Sequence, residues 1–211
     1  MSTRPMLALL STLALLATTA LAAPAARADT VTDQIDAARQ LYGDGDLGGA
    51  LTELGYAVQD IKAKQAALLA TTLPDAPAGW SAEEPEVTSA GGAEGMGGLV
   101  AGQMIERQYT RDDGGATMTA ELMADNPMIA MMAGLVGNPA FASSQTGMER
   151  VRIGRESAML QWNGDGTGEI NLLLGNRVLV KVSGEGLEDK EDLVALLKAW
   201  KLDELKAKMG V

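Results

Sequence analysis

Methionine side chains are the residues in this sequence whose type and spacing best suit chemistry. Met128, Met131 and Met132 follow one another at helical spacing, and Leu135 falls on the same face of the predicted helix. A thioether sulfur is a soft ligand that can hold Cu(I) without cysteine or histidine. Methionine also fills irregular gaps in a core and lines surfaces that adapt to varied apolar partners. The segment therefore predicts ordinary packing, a surface for an apolar ligand or partner, or a copper site.

An apolar small molecule or a partner protein is the occupant that we expect beside this segment. Asn126 and Pro127 predict the start of its helix, and Gly137-Asn138-Pro139 predicts the end. The preceding strand could add Met118 or Met123 to the methionine surface. The residues predicted to bind the ligand are Met123, Met128, Met131, Met132, Leu135 and Phe141. A Cu(I) carrier that uses the thioethers is the alternative.

Most catalytic chemistry is excluded by the residues that the sequence lacks. It contains no cysteine and no histidine, so Ser-His-Asp and Cys-His catalysis and Cys/His zinc sites are impossible. The phosphate-binding motif GxxxxGK[ST] and the hydrolase motifs GxSxG and SxxK do not occur. Hydrolysis by two carboxylates stays formally possible, but no motif supports it. We therefore predict a protein that is not an enzyme, without catalytic residues, a cofactor or a resident metal.

One segment is similar to the start of a calcium-binding loop. Oxygen-bearing side chains alternate with glycine from Asn163 to Glu169, and alternating oxygen ligands suit Ca²⁺. An EF-hand needs a glutamate at the twelfth position, where this sequence has Leu174. The flanking residues alternate as strands do, so we predict a hairpin loop here.

The first 28 residues have the three parts of a secretory signal. Arg4 supplies a positive start, the stretch from Met6 to Ala23 is mostly Leu and Ala, and Ala26-Arg27-Ala28 is a small-x-small cleavage site. No later apolar run approaches the ~18 residues of a membrane span. We therefore predict a signal peptide over residues 1–28 and a periplasmic protein that has no transmembrane segment after cleavage.

The predicted mature chain is strongly acidic. Arg4 and Arg27 are two of the 17 basic residues, which leaves 15 against 28 acids and a formal net charge of −13. A polyanion repels phosphate backbones and anionic lipid surfaces. We therefore predict that the chain has no nucleic-acid partner.

Residues 29–70 are predicted to form a helical hairpin that turns at Gly43–Asp46. Apolar residues of the second helix recur at alternating spacings of four and three, which predicts a stripe packed against the first helix. The stripe comprises Leu47, Leu51, Leu54, Val58, Ile61 and Leu68, with Gln65 in the remaining slot. The hairpin resembles a single tetratricopeptide repeat through Ala38, Leu41-Tyr42, Gly45-Asp46-Leu47, Ala50-Leu51, Leu54 and Ala57. That resemblance implies that Ala38, Ala50 and Ala57 lie at a close helix contact.

The spacing of proline and glycine predicts a linker over residues 71–102. From residue 103 the apolar period changes to two, and six short stretches up to Val182 predict an antiparallel sheet. A closing helix is predicted from Leu193 to Trp200. The predicted fold is α+β: a helical hairpin, then a domain over residues 103–211 with about six strands, a mid-chain methionine-rich helix and a C-terminal helix.

The order of elements in residues 103–205 resembles the PsbP-like fold of small exported proteins. The stretch from Gly79-Trp80 to Asn176-Arg177 is also similar to uncharacterised exported bacterial proteins. Both resemblances imply export and an α+β fold, and neither brings a known activity. We therefore expect a non-catalytic binding or adaptor module of the cell envelope, which takes an apolar small molecule or an envelope protein.

Overall fold

The computed structural model describes residues 29–90, 102–126, 129 and 147–211. The helices among these residues are α1 (Thr30–Gly43), α2 (Leu47–Ala70), α3 (Glu191–Lys198) and α4 (Leu202–Met209). The strands among them are β1 (Trp80–Ala82), β2 (Glu86–Ala90), β3 (Gly102–Arg111), β4 (Thr117–Ala124), β5 (Met148–Ile153), β6 (Glu156–Trp162), β7 (Gly168–Leu174) and β8 (Val178–Glu185).

The eight described strands form one sheet in which every described pair is antiparallel. Their order is β1-β3-β4-β8-β7-β6-β5, and β2 also pairs with β3. The predicted α+β class and antiparallel sheet are confirmed. The mid-chain methionine-rich helix was predicted in a segment that lies outside the described residues except for Ile129, which is helical.

The predicted number of about six strands is too low, because β1 and β2 were not expected. Both lie within residues 71–102, where the sequence predicts a linker. Strand β3 is long enough for two partners on one edge: β1 pairs with Tyr109–Arg111, and β2 pairs with Gly102–Glu106. Pro85, which has no amide hydrogen to donate, lies between the two short strands.

One face of the sheet is covered by helices and forms the core. Buried and half-exposed residues alternate along β4 and β8, which is the pattern of an antiparallel sheet with one covered face. Helices α3 and α4 and the last turns of α2 supply the apolar side chains opposite this face. Among the largest buried contributors are Leu69, Leu122, Leu160, Leu172, Leu193 and Leu196.

The predicted C-terminal helix is present as α3, and a second helix follows it. The sequence predicts a short terminal turn after residue 200, whereas α4 spans Leu202–Met209. Leu205 and Met209 lie one turn apart on α4, and both are buried in the core. The burial of these two side chains explains why the segment is a helix rather than a loose turn.

Tyr109 connects the segment that follows α2 to the sheet. Its side chain is fully buried on β3, and its hydroxyl donates a hydrogen bond of 2.7 Å to the carbonyl oxygen of Pro74. The same oxygen accepts a bond of 3.1 Å from Nη1 of Arg107. Because the phenol lies in an apolar environment, burial raises the pKa of Tyr109 to about 12.

The raised pKa of Tyr109 makes stability depend on pH in the alkaline range. An unfolded tyrosine ionises near pH 10, so between about pH 10 and 12 the unfolded chain releases a proton that the folded chain keeps. The free energy of unfolding therefore falls as pH rises through this window, by on the order of 2 kcal/mol. Urea unfolding of the wild-type protein and of Tyr109→Phe, repeated across this pH window, measures the fall. The fall should be smaller in Tyr109→Phe and unchanged in Tyr56→Phe, which alters an exposed tyrosine. An equal fall in the free energy of unfolding with pH in all three proteins would contradict this prediction.

Candidate binding surfaces

Small residues, rather than the leucine stripe, form the contact between α1 and α2. Ala38, Ala50 and Ala57 are each no more than 4% exposed, and small side chains allow helices to approach closely. These are the three alanines at which a close helix contact was expected, and all three are buried. The prediction that the leucine stripe packs against α1 is wrong, because the alanine face of α2 occupies that contact.

Polar side chains hold the open end of the hairpin. Nε2 of Gln34 donates a hydrogen bond of 3.0 Å to Oδ2 of Asp60. Lys64 forms an ion pair with Asp29, the residue that caps the start of α1. These bonds join the beginning of α1 to the second half of α2 at the end of the hairpin that lies away from its turn.

The leucine stripe therefore lies on the surface except at Val58, which is half-buried, and two residues of α1 lie beside it. We call this set the exposed seam. Its members are between 45% and 70% exposed: Ile35, Tyr42, Leu47, Leu51, Leu54, Ile61 and Leu68. Contiguous exposed apolar side chains of this size mark an interaction surface in soluble proteins.

Helical geometry places the seam on one side of the hairpin. Successive residues of a helix are rotated by about 100° about its axis. On α1, Ile35 and Tyr42 therefore lie less than 90° round the axis from Ala38, the alanine that faces α2. Because the two helices are antiparallel, Leu54 and Ile61 of α2 are rotated from its alanine contact toward the same side of the hairpin as Ile35 and Tyr42. Tyr56, which is 52% exposed, falls on the opposite side of α2 and is not part of the seam.

The second half of α2 makes the contacts between this helix and the sheet domain. Ala66 and Leu69 are buried in the core beneath the sheet, and the side chain of Gln103 donates to the carbonyl oxygen of Lys62. Nε2 of Gln65 lies 3.8 Å from Sδ of Met209. The residues of α2 before Lys62 extend beyond these contacts with the sheet domain.

Of the predicted ligand-binding residues, Met123 is the one that the structure describes. It is half-buried on the face of β4 opposite the core. The others, which lie outside the described residues, are Met128, Met131, Met132, Leu135 and Phe141. Met118, which was expected as a possible neighbour, is 1% exposed within the core. It cannot join Met123, because five residues along a strand lead to the other face.

Met104 is a neighbour of Met123 that periodicity did not identify. It lies directly opposite Met123 in the pairing of β3 with β4, and Leu179 lies on the other side of Met123 in the pairing with β8. Facing side chains on adjacent strands are about 5 Å apart at Cβ. The register between strands brings these three together, and the alternation within each strand does not reveal that register.

A polar groove lies further along the same open face of the sheet. It has a volume of about 500 Å³. Its walls include Thr117, Thr119, Glu169, Ser183 and Glu185. Hydroxyls and carboxylates do not suit the apolar ligand that the sequence predicts.

The segment that is similar to a calcium loop forms the connection between β6 and β7, as predicted. Oδ1 of Asp165 accepts hydrogen bonds from the hydroxyl and the amide of Thr167, at 2.6 and 3.0 Å. These bonds lower the pKa of Asp165 below its usual value. The carboxylate is thus engaged by its own loop. Within the described ranges, no group of three His, Cys, Asp or Glu residues is arranged to hold a metal ion.

Comparison with known proteins gives no match to a family model, to a curated protein or to a solved structure. Among the helices that the structure describes, none combines the length and the apolar character needed to cross a membrane.

Proposed function

We propose that this protein is a non-catalytic interaction module of the cell envelope, which binds a partner protein through the exposed seam of its hairpin. The carrying observation is the exposure of seven large apolar side chains on one side of α1 and α2. Burying one leucine side chain contributes roughly 1.5–3 kcal/mol. A partner that covers even part of the seam therefore gains a large apolar contribution to binding.

A protein partner fits this surface better than a small apolar molecule does. Small-molecule sites are concave and enclose most of their ligand, whereas the seam follows the outside of two helices. Apolar side chains spaced along a helix are the usual anchors for another helix. The predicted net charge of −13 also disfavours an anionic membrane surface as the occupant.

Site-specific photo-crosslinking in cells tests this function. Benzoylphenylalanine at position 51 should give a discrete adduct with a protein, because Leu51 is a seam residue that is 70% exposed. The same probe at position 56 is the matched control, since Tyr56 lies on the other side of the same helix. Adducts at both positions alike, or at neither, would contradict the proposal.

Affinity measurements with the captured partner complete the test. Leu51→Ser and Leu54→Ser should each weaken binding about tenfold or more, because each change removes one buried leucine from the complex. Tyr56→Ser should leave the dissociation constant unchanged. An unchanged constant in both leucine variants would show that the captured protein binds elsewhere.

A Cu(I) carrier is the second candidate function, and the pair Met104–Met123 favours it. Two thioethers on facing positions of adjacent strands can approach one soft ion. Under this function, the double substitution of Met104 and Met123 by leucine keeps apolar volume and removes the sulfur ligands. Competition with a Cu(I) chelator should then show weaker binding by the double variant than by wild type. Equal Cu(I) affinity in the two proteins would exclude this pair as the site.

A further inference from the structure

We propose that the partner of the exposed seam is the seam of a second copy of this chain, so that two hairpins form a four-helix bundle. This inference rests on the proposed function, because it names the occupant of the same surface. Three features of the hairpin lead to it: the spacing of the seam residues, the area that they expose, and the positions of the surrounding carboxylates.

The spacing of seam residues on α2 is that of a helix with a helical partner. From Leu47 to Leu68 the intervals alternate between four and three, with Gln65 in one slot. This is the repeat of a coiled coil, in which every apolar residue inserts between residues of a facing helix. Helix α1 is not that partner, since it meets the alanines. A hairpin with one apolar face is half of a four-helix bundle, and a second hairpin supplies the other half.

The area of the seam matches that of a stable dimer. From the exposed fractions of its seven residues, the seam presents roughly 700–800 Å² of surface, close to the ~800 Å² that each partner buries in a standard protein interface. Two seams packed together would therefore bury roughly 1,500 Å². The seam alone is large enough to hold two copies of the chain.

The acidic residues within the two helices are placed so that two seams can meet. Asp33 and Asp36 lie on α1, and Glu53 and Asp60 lie on α2. At 100° per residue, the two acids of α1 lie about 100° or more round the helix from Ile35 and Tyr42. The two acids of α2 lie about 100° or more round the helix from Leu47, Leu51 and Leu54. Two acidic chains would otherwise repel each other, but a contact made by the seams places these carboxylates outside the bundle.

Native mass spectrometry and analytical ultracentrifugation of the full-length expressed chain test this inference. We expect twice the mass of one chain at micromolar concentration. The double substitution Leu51→Glu and Leu54→Glu brings carboxylates into the bundle and should weaken association at least 100-fold, because buried unpaired charges are strongly unfavourable. Tyr56→Glu adds the same charge on the opposite side of α2 and should leave the dimer intact. Circular dichroism verifies that each variant is folded.

The outcomes separate this inference from the proposed function. A monomeric wild-type chain at about 100 μM, or a dimer that persists in the double glutamate variant, overturns the second copy as the occupant. In either case, the photo-crosslink at position 51 decides the wider proposal. An adduct with a different protein keeps the interaction module, whereas no adduct refutes both.

Discussion

Replacing Leu69 by alanine is expected to lower the free energy of unfolding by about 2–5 kcal/mol, whereas the same change at Leu68 should cost less than about 1 kcal/mol. Leu69 is 1% exposed and packs in the core beneath the sheet, and Leu68 is 56% exposed. The two residues are adjacent in α2, so both substitutions change helix propensity equally. The difference between them therefore isolates the burial of the side chain.

Urea unfolding followed by circular dichroism measures the free energy of unfolding of the two variants. The experiment is best made in the double glutamate variant at positions 51 and 54, because self-association would add to the apparent stability. A single transition that shifts in Leu69→Ala indicates that α2 and the sheet unfold together. An equal loss in the two variants would contradict the burial of Leu69. A separate early transition of the hairpin would show that α2 is not integrated with the sheet.

The sheet could be predicted from the sequence wherever a strand has one covered face. Strands β4, β6, β7 and β8 alternate over most of their length between buried and half-exposed residues, and this alternation is visible in the sequence as a period of two. Strands β1 and β2 escaped prediction because they are three and five residues long. Their position depends on pairing with β3, which is long enough to pair with both of them along one edge. A short local stretch does not contain that information.

The hairpin shows what an apolar stripe does and does not establish. The spacing from Leu47 to Leu68 correctly predicts that one face of α2 is apolar. It does not say which neighbour covers that face, and the nearest helix in sequence was the wrong choice. Ala50 and Ala57, spaced by seven residues, were the signal that the contact with α1 lies elsewhere. Small residues at that interval permit close packing, and the larger residues are then left for a different contact.

The methionine surface was predicted in part, for a similar reason. Met123 could be assigned to a strand, but its face depends on which set of alternate residues enters the core. The structure places Met118 in the core and Met123 on the open face. Met104 became a candidate only through the register of β3 with β4, which relates residues 19 positions apart.

Replacing Gly186 by alanine is expected to lower the free energy of unfolding by about 2–5 kcal/mol, from two causes that add. Gly186 follows β8 and has a φ of +69°, a left-handed conformation that costs a residue with a Cβ roughly 1–2 kcal/mol. An added Cβ would also lie 2.3 Å from the carbonyl oxygen of Gly115 and 3.3 Å from Cα of Ala116. Both are backbone atoms, so the clash cannot be relieved by rotation of a side chain.

Gly114→Ala is the matched control for this substitution. Gly114 has a φ of +73°, but a Cβ there would have no neighbour within 4 Å. Its replacement should therefore cost only the conformational contribution, about 1–2 kcal/mol. The difference between the two variants measures the close approach of the chain after β8 to the turn between β3 and β4.

Hydrogen exchange locates the effect of Gly186→Ala. The amide of Arg111 donates to the carbonyl oxygen of Ala116 at 3.0 Å and closes the turn between β3 and β4. Displacing that turn should expose this amide, so its protection should fall more in Gly186→Ala than in Gly114→Ala. Equal stability losses, together with unchanged protection of Arg111, would mean that the turn yields to the added methyl group without strain. The contact between the end of β8 and the turn would then contribute nothing to holding the sheet together.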